Sequence, residues 1–408
     1  MRSLSKSRGG WRRTMRTPAL GRTRRTAPSN LRHLLLLLGM LGLVPAIPTT
    51  AGSVPLRVLL FQNLATFQLF IPPSYELHSR PERLIPVSEA TDGWRSLLLQ
   101  AGPTHVVIPS LGLEVEELQV LPHSQEGVIY AGGRLYRGGL AIKRRDRGLI
   151  VVNILDLEEY LYGVVPKEAP PQWEMAALRA QAIVARTYTL YKRQRHTHGD
   201  YDVAAEYVRD QAYDGYGAEH PRTTQAVDET RGLVLTCQGQ LIPAYYHAES
   251  AGYTENSEHV WSSPHPCLRA VKTSIHPASP YVQWSAALSL QELQGALGKK
   301  GYMIGRIQRI EPLQRSPTGR IILLKLGHTR GETVLRGTDF RLAVGPEIIR
   351  STRFTVTLHG GRALFSGQGW GHGVGLCQWC SQGMAEMGYD HEAILKHYYL
   401  GATLIRHY

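Results

Sequence analysis

The residues NILDLEEYLYGVVPKEAPPQW, 153–173, run directly into EMAALRAQAIVARTYTLYKRQR, 174–195. Pro170 and Pro171 end the preceding loop and suit the start of a helix. From about Trp173 onward, small and apolar residues recur at 3.6-residue spacing in two adjoining stripes. The segment ends in basic residues, which the helix dipole favours at a C-terminus. We therefore predict an alanine-rich helix over 173–195 that packs closely against its neighbours.

The segments that flank this helix are predicted to be rich in strands. Short apolar runs separated by Gly, Pro and Ser fill 55–149. Later, Ser289 to Glu292 form a capping box that opens a short helix, strands follow up to residue 358, and a terminal helix lies around 391–399. The predicted class is α+β, a helix-bearing core with β-rich flanking segments. Its predicted divisions are 1–51, an export signal or anchor; 52–150, a β-rich domain; 151–275, the core; 276–360, a mixed α/β insertion; and 361–408, a glycine-rich loop and C-terminal helix that complete the core.

Length and charge narrow the class of protein. With 408 residues, 43% of them hydrophobic, the chain is expected to bury a substantial core. The formal net charge is +13, but ten basic residues precede residue 33 without any acid among them, so the rest of the chain carries a surplus of three. A surplus of this size is compatible with a protein that acts beside a polyanionic wall or a membrane surface, and equally with one whose charge has no role in binding. It is too small to indicate nucleic acid, which we predict is not a partner.

An apolar run from Leu34 to Ala46 follows the basic segment and ends in prolines and small residues. This pattern is typical of an export signal. The run is shorter than the roughly 20 residues that a membrane helix needs, which favours cleavage near Ala51 over a permanent anchor. The predicted location is the periplasm, the cell wall or the outer face of the cytoplasmic membrane, with membrane contact only through the N-terminal segment.

The chain has four cysteines, Cys237, Cys267, Cys377 and Cys380. An even number in an exported protein is compatible with disulfides, whose pairing the sequence leaves open. Cys377 and Cys380 have the spacing of a redox or metal motif, but no second pair of this kind accompanies them. We interpret them as a structural pair or as free thiols.

Glu168 is the acidic residue with the most apolar surroundings in the quoted stretch. Val164, Val165 and Pro166 precede it, and Ala169 and two prolines follow it. Such surroundings raise the pKa of a carboxyl group, as a general acid near neutral pH requires. A nearby Lys167 ammonium would oppose that shift. By composition alone, a solvated loop acid is the competing interpretation.

Two later segments combine small residues with histidine and tryptophan. The first, 244–261, contains His247, Ser250 and Trp261. The second, 365–379, has glycine at every other position from 367 to 375, which permits positive φ and a close approach of ligand to backbone. No Lys-Ser/Thr pair follows these glycines, which excludes a phosphate-binding loop. A buried structural histidine and a structural glycine-rich strand remain the alternative interpretations.

Together the three segments resemble the SpoIID/LytB family. The resemblance is almost residue for residue from Asn153 through the first half of the predicted helix, and it extends over 130–275 and 362–408. Two departures stand out. Ala169 occupies a position that is usually methionine, and Cys377 and Cys380 stand where small residues without thiols are expected.

The resemblance implies lytic transglycosylation of peptidoglycan strands that have lost their stem peptides. Glu168 occupies the position of the family's catalytic glutamate and would serve first as acid and then as base, because the nucleophile is the substrate's own muramic 6-hydroxyl. Gln181 and Arg186 lie five residues apart on one helix, so only one of them is expected to line the cleft. The residues for which we expect substrate contact are Gln181, Arg186, Tyr188, His247, Ser250, Trp261, Trp370, His372 and Gln378.

Two other functions fit the same resemblance. One is a non-catalytic enhancer that binds and stimulates an N-acetylmuramoyl-L-alanine amidase. The other is a metal-dependent hydrolase, since some members hold a metal with His and Cys ligands. His247 and His259 are present, but no cysteine follows before Cys267, so we predict no cofactor and disfavour zinc. The predicted partners are peptidoglycan glycan strands and, for an enhancer, a cell-wall amidase.

Overall fold

A computed structural model describes residues 52–80, 83–86, 93–124, 127–273 and 278–408. The predicted export segment 1–51 lies outside these residues. Among the helices described, none is both long and apolar enough to span a membrane. The described residues form eight α-helices and twenty-four strands in several sheets, with short 3-10 helices at Pro109–Leu111 and Tyr216–Ala218. The predicted α+β class is therefore confirmed.

Two sheets dominate the N-terminal half. Strand β2 shows why they form, since its residues alternate between exposed and buried along its length, as a strand with one buried face requires. The sheet orders are β13-β1-β12-β11-β8-β3-β4 and β10-β9-β2-β5-β6-β7, and both sheets contribute to one hydrophobic core with α1. The elements are β1 Pro55–Leu64, β2 Thr66–Ile71, β3 Tyr75–Arg80, β4 Arg83–Leu84, β5 Arg95–Ala101, β6 Val106–Ile108, β7 Leu113–Val115, β8 Glu117–Pro122, β9 Val128–Ala131, β10 Arg134–Arg137, β11 Gly139–Arg145, β12 Gly148–Asp156, α1 Leu157–Glu168, α2 Met175–Arg195 and β13 Val203–Ala204.

The domain boundary predicted at residue 150 falls inside β12. This strand pairs with β1 on one side and β11 on the other, and it continues without a break to Asp156. Asp156 then caps α1, and the Glu159 carboxylate accepts a hydrogen bond from the Asp156 backbone N–H. The β-rich segment and the start of the helical core are thus continuous, because one strand belongs to both.

Helix α2 confirms the long helix predicted from the alanine-rich stripes, although it begins at Met175 rather than near Trp173. Buried residues occupy nearly every position from Ala177 to Leu190. The helix contacts α1, α3, α7, α8 and β14, and its small side chains allow these neighbours to pack closely on all sides.

The C-terminal half builds two further cores. One surrounds α2 and includes α7 and α8, and the other lies within residues 283–368, which we call the inserted unit. The elements are α3 Pro221–Glu229, β14 Leu233–Cys237, β15 Gln240–Leu241, β16 Tyr246–His247, α4 Ser257–Trp261, β17 Gln283–Ser289, α5 Leu290–Lys299, β18 Ile307–Arg315, β19 Ile321–His328, β20 Gly331–Arg336, α6 Gly337–Val344, β21 Phe354–His359, β22 Arg362–Gln368, β23 Leu376–Cys377, α7 Gln378–Glu386, α8 His391–Tyr398 and β24 Thr403–Arg406.

The inserted unit is longer than the predicted insertion 276–360. Strand β22 lies beyond residue 360 and forms the centre of the sheet β17-β22-β21, so the unit is incomplete without it. The second sheet, β18-β19-β20, and helices α5 and α6 complete the unit. The predicted capping box is confirmed, since the Ser289 hydroxyl accepts from the Glu292 backbone N–H and the Glu292 carboxylate accepts from the Ser289 backbone N–H.

The chain returns to the helical core after the inserted unit. Strand β23 pairs with β16, and β24 pairs with β14. Helices α7 and α8 both contact α2. Residues more than 120 positions apart in the sequence are therefore neighbours, and this return brings the glycine-rich loop beside His247.

Two disulfides join the four cysteines, Cys237 to Cys267 and Cys377 to Cys380. Replacing both Cys237 and Cys267 with alanine is expected to lower the free energy of unfolding by roughly 3–4 kcal/mol, because that bond closes a long loop in the unfolded chain. Their sequence separation is 30 residues. Urea unfolding of the variant beside the unreduced wild type measures the loss. Coincident unfolding curves would contradict the expectation.

Candidate catalytic cleft

Glu168 is the last residue of α1, and its half-buried side chain faces a cleft. The helix ends here because Ala169 precedes Pro170 and must adopt an extended backbone, which it does at φ −134° and ψ 128°. With no further helical turn above it, the Glu168 carboxyl group is left open toward the cleft.

Three hydrogen-bond donors hold this carboxyl group. The Ala212 backbone N–H donates to Oε1 at 2.9 Å, and the side-chain amide of Gln378 lies 3.4 Å from Oε2 and 2.9 Å from the Glu168 backbone oxygen. The hydroxyl of Tyr246 is the third donor. Because Tyr246 also accepts from Gln211 at 3.0 Å, its own hydrogen is directed to Glu168.

Burial raises the pKa of Glu168 above its ordinary value, and the three hydrogen bonds oppose the shift without cancelling it. The sequence suggested that the Lys167 ammonium would oppose the rise in the pKa of Glu168. In the structure Lys167 pairs with Asp214 at 2.7 Å. A raised pKa keeps more of the carboxyl protonated as the pH approaches neutrality. Glu168 therefore has the environment of a general acid.

The cleft around Glu168 has a volume of about 720 Å³. Three parts of the chain form it: the helical core, the glycine-rich loop and the inserted unit. Seven of the ten residues predicted from sequence line it: Glu168, Tyr188, His247, Trp261, Trp370, His372 and Gln378.

Aromatic side chains line the cleft in two groups. In the first, Tyr245 stacks on Trp261 with ring centroids 4.1 Å apart, and His372 lies 5.0 Å from Trp261. In the second, Trp370 meets Tyr281 edge-on at 4.6 Å. Trp261 is 41% exposed, so its ring is available to a ligand. Flat rings of this kind offer large apolar faces for contact.

Tyr245 and Tyr281 were not predicted from the sequence. Tyr245 lies within the quoted segment 244–261, and its nearness to His247 was the available signal. Tyr281 lies just before the inserted unit, in a stretch that showed no chemical motif, and only the tertiary structure brings it to the cleft.

His247 and His372 are neutral in the cleft. Burial lowers the pKa of His372 to about 3, with the nearby charges of Arg341 and Arg320 adding to the effect. Burial also lowers the pKa of His247 well below its ordinary value. The Nδ1 of His247 faces the Val374 carbonyl at 3.3 Å, which leaves Nε2 as an acceptor without a partner among the described residues. Neither imidazole is a cation at neutral pH.

The glycine-rich loop needs its glycines where it meets these side chains. Gly371 has φ +112°, and a Cβ there would lie 2.6 Å from the His247 Cβ. Gly373 has φ +88°, and a Cβ there would lie 2.5 Å from the Arg320 guanidinium. The predicted positive φ values are therefore confirmed at these positions, and close packing adds a second requirement for glycine.

Arg186 does not reach the cleft. Its guanidinium is completely buried and donates to Glu158 at 2.8 and 2.7 Å, with further bonds to Thr230 and two backbone carbonyls. The predicted substrate contact is incompatible with this burial. Arg186 lies on the face of α2 that α1 and α3 cover, and this packing separates its side chain from the cleft.

Ser250 and Gln181 also lie behind the cleft surface. The Ser250 hydroxyl is fully buried and bonds Thr273 at 2.7 Å, so the predicted substrate contact does not fit its position. Gln181 is 2% exposed, and its side-chain oxygen accepts from Gln378 at 3.3 Å. Gln181 thus reaches the Glu168 carboxyl only through Gln378.

The four-ligand His and Cys set of the metal-binding members does not form around His247. The Nδ1 of His259 forms a hydrogen bond with the Glu255 carboxylate at 2.7 Å, and Cys267 forms a disulfide with Cys237. Within the described ranges one group has metal-ligand spacing, Glu249 with Cys377 and Cys380, but these sulfurs are joined to each other. The residues therefore do not fit a zinc site of that type.

The chain is similar to proteins of known families. The family described as "Stage II sporulation protein" (SpoIID) matches residues 145–237, and a "Domain of unknown function" (DUF8618) matches 267–375. An uncharacterized protein of Brachyspira hyodysenteriae is 32% identical over 310 residues, which are 74% of this chain and 81% of that protein.

Two named relatives come from Bacillus. Stage II sporulation protein D of Bacillus amyloliquefaciens is 31% identical over 272 residues, 62% of this chain and 75% of that protein. The amidase enhancer of Bacillus subtilis is 30% identical over 296 residues, 60% of this chain, and the match spans only 40% of that relative's length. The family match contains Glu168, and the extent of these likenesses confirms the resemblance that the sequence suggested. The chain belongs to the SpoIID/LytB family.

Proposed function

We propose that the protein is a peptidoglycan lytic transglycosylase that cleaves the bond between N-acetylmuramic acid and N-acetylglucosamine in peptide-stripped glycan strands. The observation that carries the proposal is Glu168, a partly buried carboxyl group with a raised pKa in an aromatic-lined cleft. The chain belongs to a family in which one relative is named an amidase enhancer, and the aromatic rings of the cleft suit the apolar faces of sugar rings.

One carboxyl group suffices for this reaction. Protonated Glu168 gives its proton to the bridging oxygen as the bond from that oxygen to the muramic anomeric carbon breaks. The resulting carboxylate then takes the proton of the muramic 6-hydroxyl, whose oxygen bonds to the same carbon and leaves a 1,6-anhydro end. Glu168 ends the cycle protonated, and no water is consumed.

The other carboxylates of the cleft support this assignment. Asp210 accepts from Tyr188, from the Ala204 backbone and from Lys192, all at 2.8 Å. Glu347 accepts from Tyr207 at 2.5 Å. Ordinary glycosidases use a second carboxyl group to activate water or attack the sugar. Among the described residues that line the cleft, Asp210 is paired with the Lys192 ammonium and Glu347 is bonded to Tyr207, whereas Glu168 forms no ion pair; the proposal therefore assigns the nucleophile to the substrate.

The pH dependence of cleavage follows from the raised pKa of Glu168. The acid form is active in the first step, so kcat/KM is expected to fall as pH rises through the Glu168 pKa, and the midpoint of that fall is expected above the ordinary glutamate range. Initial rates on soluble glycan from pH 4 upward, at roughly half-unit steps, locate it. A midpoint at the ordinary glutamate value would contradict the assignment of Glu168 as a desolvated acid.

The direct test is product analysis. Purified protein is incubated with peptidoglycan from which an amidase has removed the stem peptides, and the products are identified by mass spectrometry. The proposal expects anhydro ends, lighter by one water than the ends of a hydrolase. Reducing ends in place of anhydro ends would show hydrolysis, and no new ends would exclude cleavage of this substrate.

A second candidate is the amidase enhancer, which the name of the Bacillus subtilis relative favours. In this case the cleft binds the strand and presents it to an N-acetylmuramoyl-L-alanine amidase. The same purified protein then yields no anhydro ends but raises the rate at which the amidase releases peptides. Adding the amidase to the product assay separates the two functions.

The proposed function requires export, since its substrate lies outside the cytoplasm. The basic segment followed by the apolar run 34–46 supports this location. Fractionation of cells that express the whole chain tests it. Protein confined to the cytoplasmic fraction would contradict both functions.

A further inference from the structure

Arg341 is a cation that the inserted unit brings to the cleft. It lies on α6, where Thr338 and Leu342 also line the cleft. Its Nε donates to the Arg350 carbonyl at 3.1 Å, which fixes the side chain and leaves both terminal nitrogens for other partners. The Arg350 guanidinium in turn lies over the Trp370 ring, 4.7 Å from its centroid. Arg341 is thus held at the backbone of the residue whose guanidinium covers Trp370, and both Arg341 and Trp370 line the cleft.

Arg341 differs from the two lysines of the cleft, which are paired with carboxylates, and from Arg209, which is exposed to solvent. Lys167 pairs with Asp214 at 2.7 Å and Lys192 with Asp210 at 2.8 Å. Arg209 is exposed and donates to the Tyr201 hydroxyl. Among the described residues no carboxylate forms an ion pair with Arg341.

The acid nearest in effect to Arg341 is Glu347, and it is engaged with Tyr207 at 2.5 Å. Burial lowers the pKa of Arg341 to about 10, so the guanidinium remains charged at neutral pH while part of its hydration is lost. Arg341 and His372 both line the cleft, and the positive charge of Arg341 contributes to the low pKa of His372. A partly desolvated cation without a paired anion favours an anionic ligand.

We infer that Arg341 determines substrate specificity by binding the lactyl carboxylate of N-acetylmuramic acid. This inference rests on the proposed function, because it takes the strand as the ligand. In a strand that bears peptides, the lactyl group is a neutral amide. Removal of the peptide exposes a carboxylate, the group that a planar guanidinium binds through two parallel hydrogen bonds.

The inference gives the inserted unit a role in recognition. Glu168 and Gln378 belong to the helical core, whereas Arg341 belongs to the unit matched by the domain of unknown function. The residues of the cleavage reaction and the residue that selects peptide-free strands therefore belong to different parts of the chain. The carboxylate on Arg341 would lie beside Trp370 and His372, where a sugar ring can stack.

Binding to uncut glycan tests the inference without requiring catalysis. The full chain carrying Glu168→Gln is titrated with a soluble peptide-free glycan oligosaccharide, and separately with the same oligosaccharide after its lactyl carboxylates have been converted to methylamides. The free-acid form is expected to bind roughly 10- to 100-fold more tightly, as one charged hydrogen-bonding partner allows. Adding Arg341→Gln is expected to reduce the ratio of the two dissociation constants to about one.

Two further variants control this experiment. Arg341→Lys keeps the charge but not the paired geometry, so it is expected to retain part of the preference and to serve if the glutamine variant does not fold. Arg309→Gln removes the same charge from an exposed position of the inserted unit, where Arg309 pairs with Glu311 and Glu332, and the preference is expected to persist. Thermal melting checks that each variant is folded.

The outcomes separate this inference from the proposed function. An unchanged preference in folded Arg341→Gln overturns the inference, even if the wild type cleaves glycan. Equal binding of acid and amide by the Glu168→Gln chain, or no binding of either, also overturns it. A preference lost in Arg341→Gln, beside a wild type that makes no anhydro ends, supports carboxylate recognition by a protein that is not a transglycosylase.

Discussion

Glu168→Gln is expected to fold but to release anhydro ends roughly 100- to 10,000-fold more slowly than the wild type. An amide cannot give a proton to the bridging oxygen or take one from the 6-hydroxyl. The amide keeps the shape of the carboxyl and can still accept from the Ala212 backbone, which donates to Glu168 at 2.9 Å. Mass spectrometry of the digested strands measures the loss.

Stability provides an independent check on this variant. The pKa of Glu168 is raised in the folded protein, so the folded state holds the proton more tightly than the unfolded state. The free energy of unfolding therefore decreases as pH rises from the ordinary glutamate pKa through the folded value. Because glutamine does not titrate, Glu168→Gln is expected to be at least as stable as the wild type at neutral pH. Urea unfolding at acidic and neutral pH measures the difference.

The matched control is Glu229→Gln. Glu229 is an exposed acid that pairs with Arg179 at 2.6 Å, outside the cleft, so its variant is expected to cleave at the wild-type rate. If Glu168→Gln still produced anhydro ends at the wild-type rate, the role of Glu168 as acid and base would be wrong. If it failed to fold, the carboxyl would be a structural group.

Arg186→Met is expected to lower the free energy of unfolding by roughly 3–5 kcal/mol, the largest effect on stability among these predictions. Arg186 and Glu158 are both buried, 2.7 Å apart. Burial alone would raise the pKa of Glu158, but the hydrogen bonds and charge of Arg186, together with Tyr408 and the Gly232 backbone, hold it below its ordinary value. Without Arg186 the buried carboxylate loses its counter-charge.

Arg179→Met is the matched control for this change. Arg179 lies on the same helix and pairs with Glu229, but both side chains are partly exposed, so a loss of about 0–1 kcal/mol is expected. Urea unfolding compares the two variants. Equal losses would contradict the argument from burial. At a temperature where Arg186→Met remains folded, its cleavage rate is expected to match the wild type, whereas a lower rate would favour the substrate contact first predicted for Arg186.

Local sequence patterns predicted three of the eight described helices, α2, α5 and α8, and much of the strand content. The proline pair before α2, the alanine stripes and the capping box at Ser289 each depend on residues a few positions apart, and such interactions are readable without a fold. The extent of the inserted unit could not be predicted from local patterns, because β22 belongs to the unit through its pairing with β17, about 80 residues earlier in the sequence.

The sequence by itself determined that Glu168 stands among apolar residues before a long helix, and that glycine, histidine and tryptophan recur in two later segments. The tertiary structure decided which of these groups meet. It brought Gln378 to Glu168 across 210 positions, buried Arg186 against Glu158, and placed Tyr281 and Arg341 in the cleft. A capping or helical pattern is fixed by neighbours along the chain, but the pKa of a carboxyl and the partner of a cation are fixed by whatever packing brings near them.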